Sequence, residues 1–321
     1  MGSLLLGAIA GQYQIPIGDL LSAIGRKLVG NASSPSSSIE IVLWQIRFPR
    51  LIAAGFIGAA LSVSGAVYQG LFRNPLVSPD LLGVSAGAAL GAILAIFFSL
   101  SIVALQGLAF LGGVVSVALV YAIGARLRGH DQTISLVLAG IAVGALLSAA
   151  ISLLKVTADP YNQLPAITYW LLGSLAATNV SDLWVATPVI VLGLAPLFAI
   201  RWRINLLTLP EDEARAIGLN TRRYRLVVIA GATLATAGAV SISGIIGWVG
   251  LLVPHIARLI VGPDYQRLLP ISAILGAAFL IAVDTAARSL TAVEIPIGIL
   301  TAVLGTPFFV WLLASSRTGW Q

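Results

Sequence analysis

Residues 134–154, ISLVLAGIAVGALLSAAISLL, carry no charge over twenty-one positions. At 1.5 Å per residue this is about 30 Å of helix, the thickness of a bilayer's hydrocarbon core. Backbone groups in lipid must be satisfied within their own segment, so an apolar run of this length is a spanning helix. Working outward, comparable runs lie at 51–70, 81–99, 105–125, 183–200, 226–244, 249–262, 269–290 and 296–314. The apolar run at 4–10 has no basic residue before it and is too short to span. It reads as the outer end of a first helix cut to roughly half its length, making about ten spans in all. A run at 163–177 containing Pro165, Tyr169 and Trp170, polar near both ends, reads as an interfacial helix instead. The expected fold is therefore all-α: a single transmembrane domain over residues 1–321, with one long charged loop at about 201–225.

Composition supports this. Hydrophobic residues make up 58% of the 321 and charged residues only 9%, against roughly 25% charged in a soluble domain. A water-soluble fold of this size would lack the polar residues to cover its own surface. The net charge of +6 does not point to nucleic acid, because a basic excess in a membrane protein reflects Lys and Arg held in the loops of one side. Arg73, Arg126 with Arg128, the cluster from Arg201 to Arg225, Arg267 and Arg317 are each separated from the next by two expected spans. With Arg258, twelve of the eighteen basic residues fall on one side; Arg26, Lys27, Arg47, Arg50, Lys155 and Arg288 fall on the other. The first side is then cytoplasmic, and it includes the C-terminus. Cysteine is absent, which excludes disulfides, thiolate nucleophiles and Cys-ligated metals.

Within the spans, GAALSVSGA (58–66), VSAGAALGA (84–92) and LAGIAVGALLSAA (138–150) are dense in small residues, which allow close helix packing in lipid. In the loop RWRINLLTLPEDEARAIGLNTRRYR (201–225), Pro210 suits a helix opening, Glu211 and Arg215 form an i,i+4 pair, and Gly218 suits a helix stop. A short helix is expected there, either a solvated connector or a docking helix for a partner. Only two histidines occur, His130 and His255; a metal site needs several convergent ligands, so no metal or cofactor is expected. Asp284 is the one acid well inside an expected span, four residues from Arg288. It forms either a local ion pair or a proton relay.

WQIRFPR (44–50), GAALSVSGAVYQGLFRNPLVSPDLLGVSAGA (58–88), LVLAGIAVG (136–144), GWVGLLVPHIARL (247–259) and VEIPIGILTAVLGTPFFVWLL (293–313) cover about half the chain. Together they resemble the iron-chelate and cobalamin permease family of ABC importers. The RNPL-x-x-P block (73–79) and the PH-x-x-R block (254–258) carry this resemblance more specifically than hydropathy does. The resemblance implies ten helices per subunit and a homodimer around a central path. It also implies two cytoplasmic ATPase subunits and a soluble periplasmic or lipid-anchored substrate-binding protein. The chain itself has no G-x-x-x-x-G-K-[ST] loop, so it is not expected to be an enzyme. Glu213, Ala214 and Gly218 match the family's E-A-x-x-x-G coupling motif, and with Glu211 and Arg215 they form the expected ATPase-coupling set. Gln132, Thr133 and Ile134 fall where the family has its cytoplasmic gate, although Asp131 or Thr133 could equally cap the helix that follows. Arg47 and Arg288 fall where the family presents arginines to its binding protein, although they could instead anchor helix ends or pair internally. The substrate implied first is a ferric siderophore, then haem, cobalamin or an oxyanion such as molybdate. The competing expectation is a secondary transporter or channel with no ATPase, which should carry several buried acids; Asp284 stands alone.

Overall fold

The computed structural model describes residues 7, 16–28, 38–126 and 132–315, and among these every regular element is helical. Helix α1 (Ile17–Leu28) is followed by α2 (Phe48–Leu71). α2 is prolonged at its start by an α-turn, Ser38–Ile41, and a π-helical turn, Val42–Arg47. α3 (Val84–Phe97), α4 (Ile102–Arg126), α5 (Gln132–Thr157), α6 (Gln163–Leu172) and α7 (Val180–Ala199) complete the first part. Two short helices follow, α8 (Arg201–Leu207) and α9 (Glu211–Ala216). The chain then runs through α10 (Thr221–Ser243), α11 (Val249–Val261), α12 (Tyr265–Ala287) and α13 (Ile297–Ser315).

A helix is present at each of the nine spans expected between residues 51 and 314. Among the described residues six helices are long and apolar enough to cross a bilayer, and Val84–Phe97, Val249–Val261 and Ile297–Trp311 are shorter apolar helices. The expected fragment at 4–10 lies outside the described residues apart from Gly7. Apart from α1 and α8, which the apolar run lengths do not predict, the differences fall at helix ends and have local causes. The run expected from 81 begins at Val84 because Pro79–Leu82 forms a 3-10 turn closed by Gly83 at φ 77°. The span expected from 226 begins at Thr221 because the Asn220 side chain accepts the Arg223 N–H and so caps a helix that carries TRRYR in its first turns. The helix expected over 163–177 stops at Leu172, where Gly173 turns the chain at φ 72°.

α2 and α10 form the centre, with 78% and 72% of their apolar windows buried, against 33% for α4 and 28% each for α5 and α7. α2 packs on α12, α10 and α11, while α3 pairs with α4 and α10 with α7. The closest crossings run backbone to backbone: a Cβ on Gly58 would collide with the Gly276 carbonyl, and one on Gly65 with the Gly250 carbonyl. Helices are thus held by contact area rather than by water exclusion, as packing in lipid requires. α11, with 13 residues, is about 20 Å long and too short to cross alone. It starts at Trp248, whose φ of 70° breaks the chain from the preceding link.

Candidate functional site

At the ends of α2 and α12 the structure gathers charges that the sequence scatters over almost 250 residues. Asp284, fully buried in α12, accepts from Arg50 Nε at 2.8 Å. Arg50 spans the gap to the α12–α13 link, where its Nη1 and Nη2 donate to Glu294 Oε1 and Oε2, both at 2.9 Å. This is a fork-on-fork pair, the geometry that fixes a guanidinium most firmly. Arg288 Nε lies 3.6 Å from Asp284 Oδ2, an ion pair rather than a hydrogen bond. The Arg288 guanidinium also donates to the Gly7 carbonyl. The expected Asp284–Arg288 pair therefore exists, but it is the weaker half of a cluster whose principal partner is Arg50, which lies within WQIRFPR and which no local signal marks as that partner. Glu294 was likewise missed: nothing local distinguishes an acid before IPIG. Arg47, in the π-helical turn, is 4% exposed and Arg288 is 7% exposed, so the two lie inside the chain's own packing rather than on an open rim.

At the opposite end, the loop after α7 is organised in two steps. α9 occupies Glu211–Ala216 with Pro210 as its N-cap, as expected. Gly218, at φ 82°, closes it: Gly218 N–H donates to the Arg215 carbonyl and Leu219 N–H to the Ala214 carbonyl, the left-handed stop that glycine suits. Ala214 is buried, whereas Glu213, Arg215 and Gly218 are exposed; Glu211 opens the helix. α8 was not expected. It ties the loop to the core, because Asn205 Nδ2 donates to Asp264 Oδ1 at 2.7 Å and Asn205 Oδ1 accepts Tyr265 N–H at 2.9 Å. Tyr265 in turn donates its hydroxyl to the Ala66 carbonyl of α2 at 3.1 Å. Asp264 caps α12 by accepting Gln266 N–H at 3.0 Å. That backbone hydrogen bond, followed by the one from Asn205, holds its carboxyl below the usual range. Deeper in, Arg258 Nη2 donates to Gln69 Oε1 at 3.0 Å and joins α11 to α2. His255 is buried opposite the Phe308 ring, 6.5 Å between centroids.

Gln132 and Thr133 form the first turn of α5, and Ile134 beside them is 53% exposed. His130 and Asp131 lie outside the described residues. At the far end of the same layer, a cavity of about 320 Å³ opens between α3, α4, α6 and α10. Its acid, Asp182, is held by Gln106 at 2.7 Å and by the α7 capping box with Asn179. Among the described residues no three of His, Asp and Glu converge as a metal site would need.

The sequence pattern of the FecCD transport family matches residues 1–315. A cobalamin import system permease protein of Halobacterium salinarum is 44% identical over 275 residues, 85% of this chain and 73% of that protein. A Helicobacter pylori protein assigned as an iron chelatin transport system permease is 44% identical over 281 residues, 88% of this chain and 85% of its own. The molybdate import system permease protein of Haemophilus influenzae is 38% identical over 96% of this chain and 91% of its own. Among solved structures, a transporter assigned to the metal-chelate ABC type, in an inward-facing conformation, superposes with a TM-score of 0.86. It is 37% identical, and the match covers 97% of this chain and 95% of that one.

Proposed function

The chain belongs to the FecCD transport family, and on that footing we propose that it is the membrane-spanning subunit of an ATP-driven importer for a metal chelate. The family and its apolar helices make it a multi-pass inner-membrane permease. The observation that carries the ATP-driven reading is α9, a charged helix on a stalk between two spans, with Glu213 and Arg215 exposed and Ala214 turned inward. Such an element serves a partner that pushes on it. Through Asn205, Asp264 and Tyr265 that push reaches α12 and α2. We place α9 and the C-terminus in the cytoplasm, on the side with more arginine. Two such subunits form the path, two ATPase subunits sit beneath, and a binding protein delivers cargo from outside. Ferric siderophore is the first choice of cargo, with haem, cobalamin and molybdate-type oxyanions behind it. Asp284 gives little support to ion-coupled transport, since two guanidiniums already hold it.

The test is to purify the complex and reconstitute it in vesicles. Co-purification of an ATPase subunit and chelate uptake that needs ATP are expected; uptake driven by a proton gradient alone overturns the reading. Docking of the binding protein is assigned to Arg47 and Arg288. Their burial means the surrounding segment must yield before a carboxylate can reach them. Arg47→Glu and Arg288→Glu are expected to slow association and flatten its salt dependence, read by surface plasmon resonance at low and high ionic strength.

A further inference from the structure

We propose that the arginines at the base of the α8–α9 loop hold the phosphate headgroup of an anionic phospholipid in the adjoining leaflet, clamping the coupling loop to the membrane surface. The inference deepens the importer reading and takes its orientation from it. Arg203 is the centre of the site. Its guanidinium carbon lies 4.7 Å from the Trp202 ring centroid and 4.9 Å from that of Tyr224. Stacking on ring faces leaves the in-plane N–H fork free, already oriented for a phosphate. Among the described residues no carboxylate pairs with Arg203, nor with the exposed Arg223, which precedes the stacked Tyr224 at the start of α10. Arg203 and Arg223 come from the two ends of the loop that carries α9, so one headgroup can bind its entry and its exit together.

The position favours a lipid over a soluble anion. An exposed apolar flank runs down α7 through Trp184, Val185 and Leu192 and ends at Trp202, itself 48% exposed. On α10, the exposed Leu226 and Ala230 continue from Arg223 on its side of the helix. Acyl chains lying on these two flanks would bring their phosphate to Arg203, and a half-exposed Trp belongs at the boundary between tails and water. The cytoplasmic leaflet supplies the complementary charge, which attracts basic clusters beside spanning helices.

The measurement is native mass spectrometry of the purified permease in detergent, with equal amounts of phosphatidylglycerol and phosphatidylcholine added. Preferential retention of phosphatidylglycerol, stripped by salt, is expected. Arg203→Gln and Arg223→Gln should each lower retention about fivefold, the factor corresponding to one arginine near an anionic surface. Arg126→Gln, on the same side but away from the site, should leave it unchanged. Equal retention of the two lipids by the unmodified chain overturns the proposal without recourse to any variant. So do unchanged retention in monodisperse Arg203→Gln and Arg223→Gln, and displacement of the lipid by millimolar inorganic phosphate. Loss of ATPase-subunit binding by these variants, with lipid retention intact, would assign the arginines to the protein interface and overturn it as well. Because the permease is measured alone, failure of the importer reading would leave these results unaffected.

Discussion

Asp284 has no exposed surface and sits between Arg50 and Arg288, so removing its charge strands two guanidiniums in the protein interior. Breaking a buried ion pair from one side costs about 3–5 kcal/mol. Asp284→Ala should therefore cause a large loss of thermal stability in detergent, measured by static light scattering or tryptophan fluorescence. Glu294 makes two good hydrogen bonds to Arg50 but is 32% exposed. Water can replace part of what it gives, and Glu294→Gln should cost about 1 kcal/mol or less. A comparable loss in both variants would show that Glu294 anchors the cluster as firmly as Asp284 does. At this scale the sequence was only partly legible. The i,i+4 spacing of Asp284 and Arg288 follows from helix geometry alone, but the 2.8 Å contact with Arg50 crosses 234 positions and depends on how α2 meets α12.

Among the elements, α9 was readable because its signals are local: a proline opening, a charged turn, a glycine stop. A Cβ on Gly218 would meet nothing within 4 Å, so its φ of 82° is the whole obstacle to substitution. Gly218→Val should cost about 1–2 kcal/mol locally and lower the ATP turnover of the complex, as should Glu213→Lys, while insertion stays normal. Turnover unchanged in both, at normal subunit stoichiometry, would remove α9 from the transmission path. α8 carries no such punctuation, so nothing in its sequence separates it from the loop; what defines it is Asn205 bonding to the start of α12. That junction has a pH signature. Hydrogen bonds to the ionised Asp264 carboxylate lower its folded pKa below the unfolded value, which is about 3.9. Its contribution is therefore complete above that value and is lost as pH falls through the folded pKa. Asp264→Asn keeps a capping side chain without the titration, so its thermal midpoint should fall less steeply than wild type below about pH 4. Parallel pH profiles for the two proteins would exclude Asp264 from the acid sensitivity.

For the molecule as a whole, α5 exposes Ile134, Leu138, Ile141, Leu146 and Leu153 along its length, a face open to lipid or to a second subunit. If the path lies on a two-fold axis, Thr133→Cys should cross-link to its symmetry mate more in one nucleotide state than in another. The native chain has no cysteine to confuse the result. Equal cross-linking in all states, or none in any, would return Thr133 to a capping role. The sequence by itself determined the membrane class, the nine apolar helices from 51 onward and the helix in the charged loop. Each of these follows from run length, the cost of unsatisfied backbone in lipid, or punctuation within a few residues. Only the tertiary structure decided that α2 and α10 are central and that Arg50 rather than Arg288 is the main partner of Asp284. It alone stacked Arg203 between Trp202 and Tyr224. Spanning helices are apolar on every face, so hydropathy carries no information about which face meets which neighbour. That choice is made by backbone approach at crossings such as Gly58 with Gly276, and the charged side chains are brought together as its consequence.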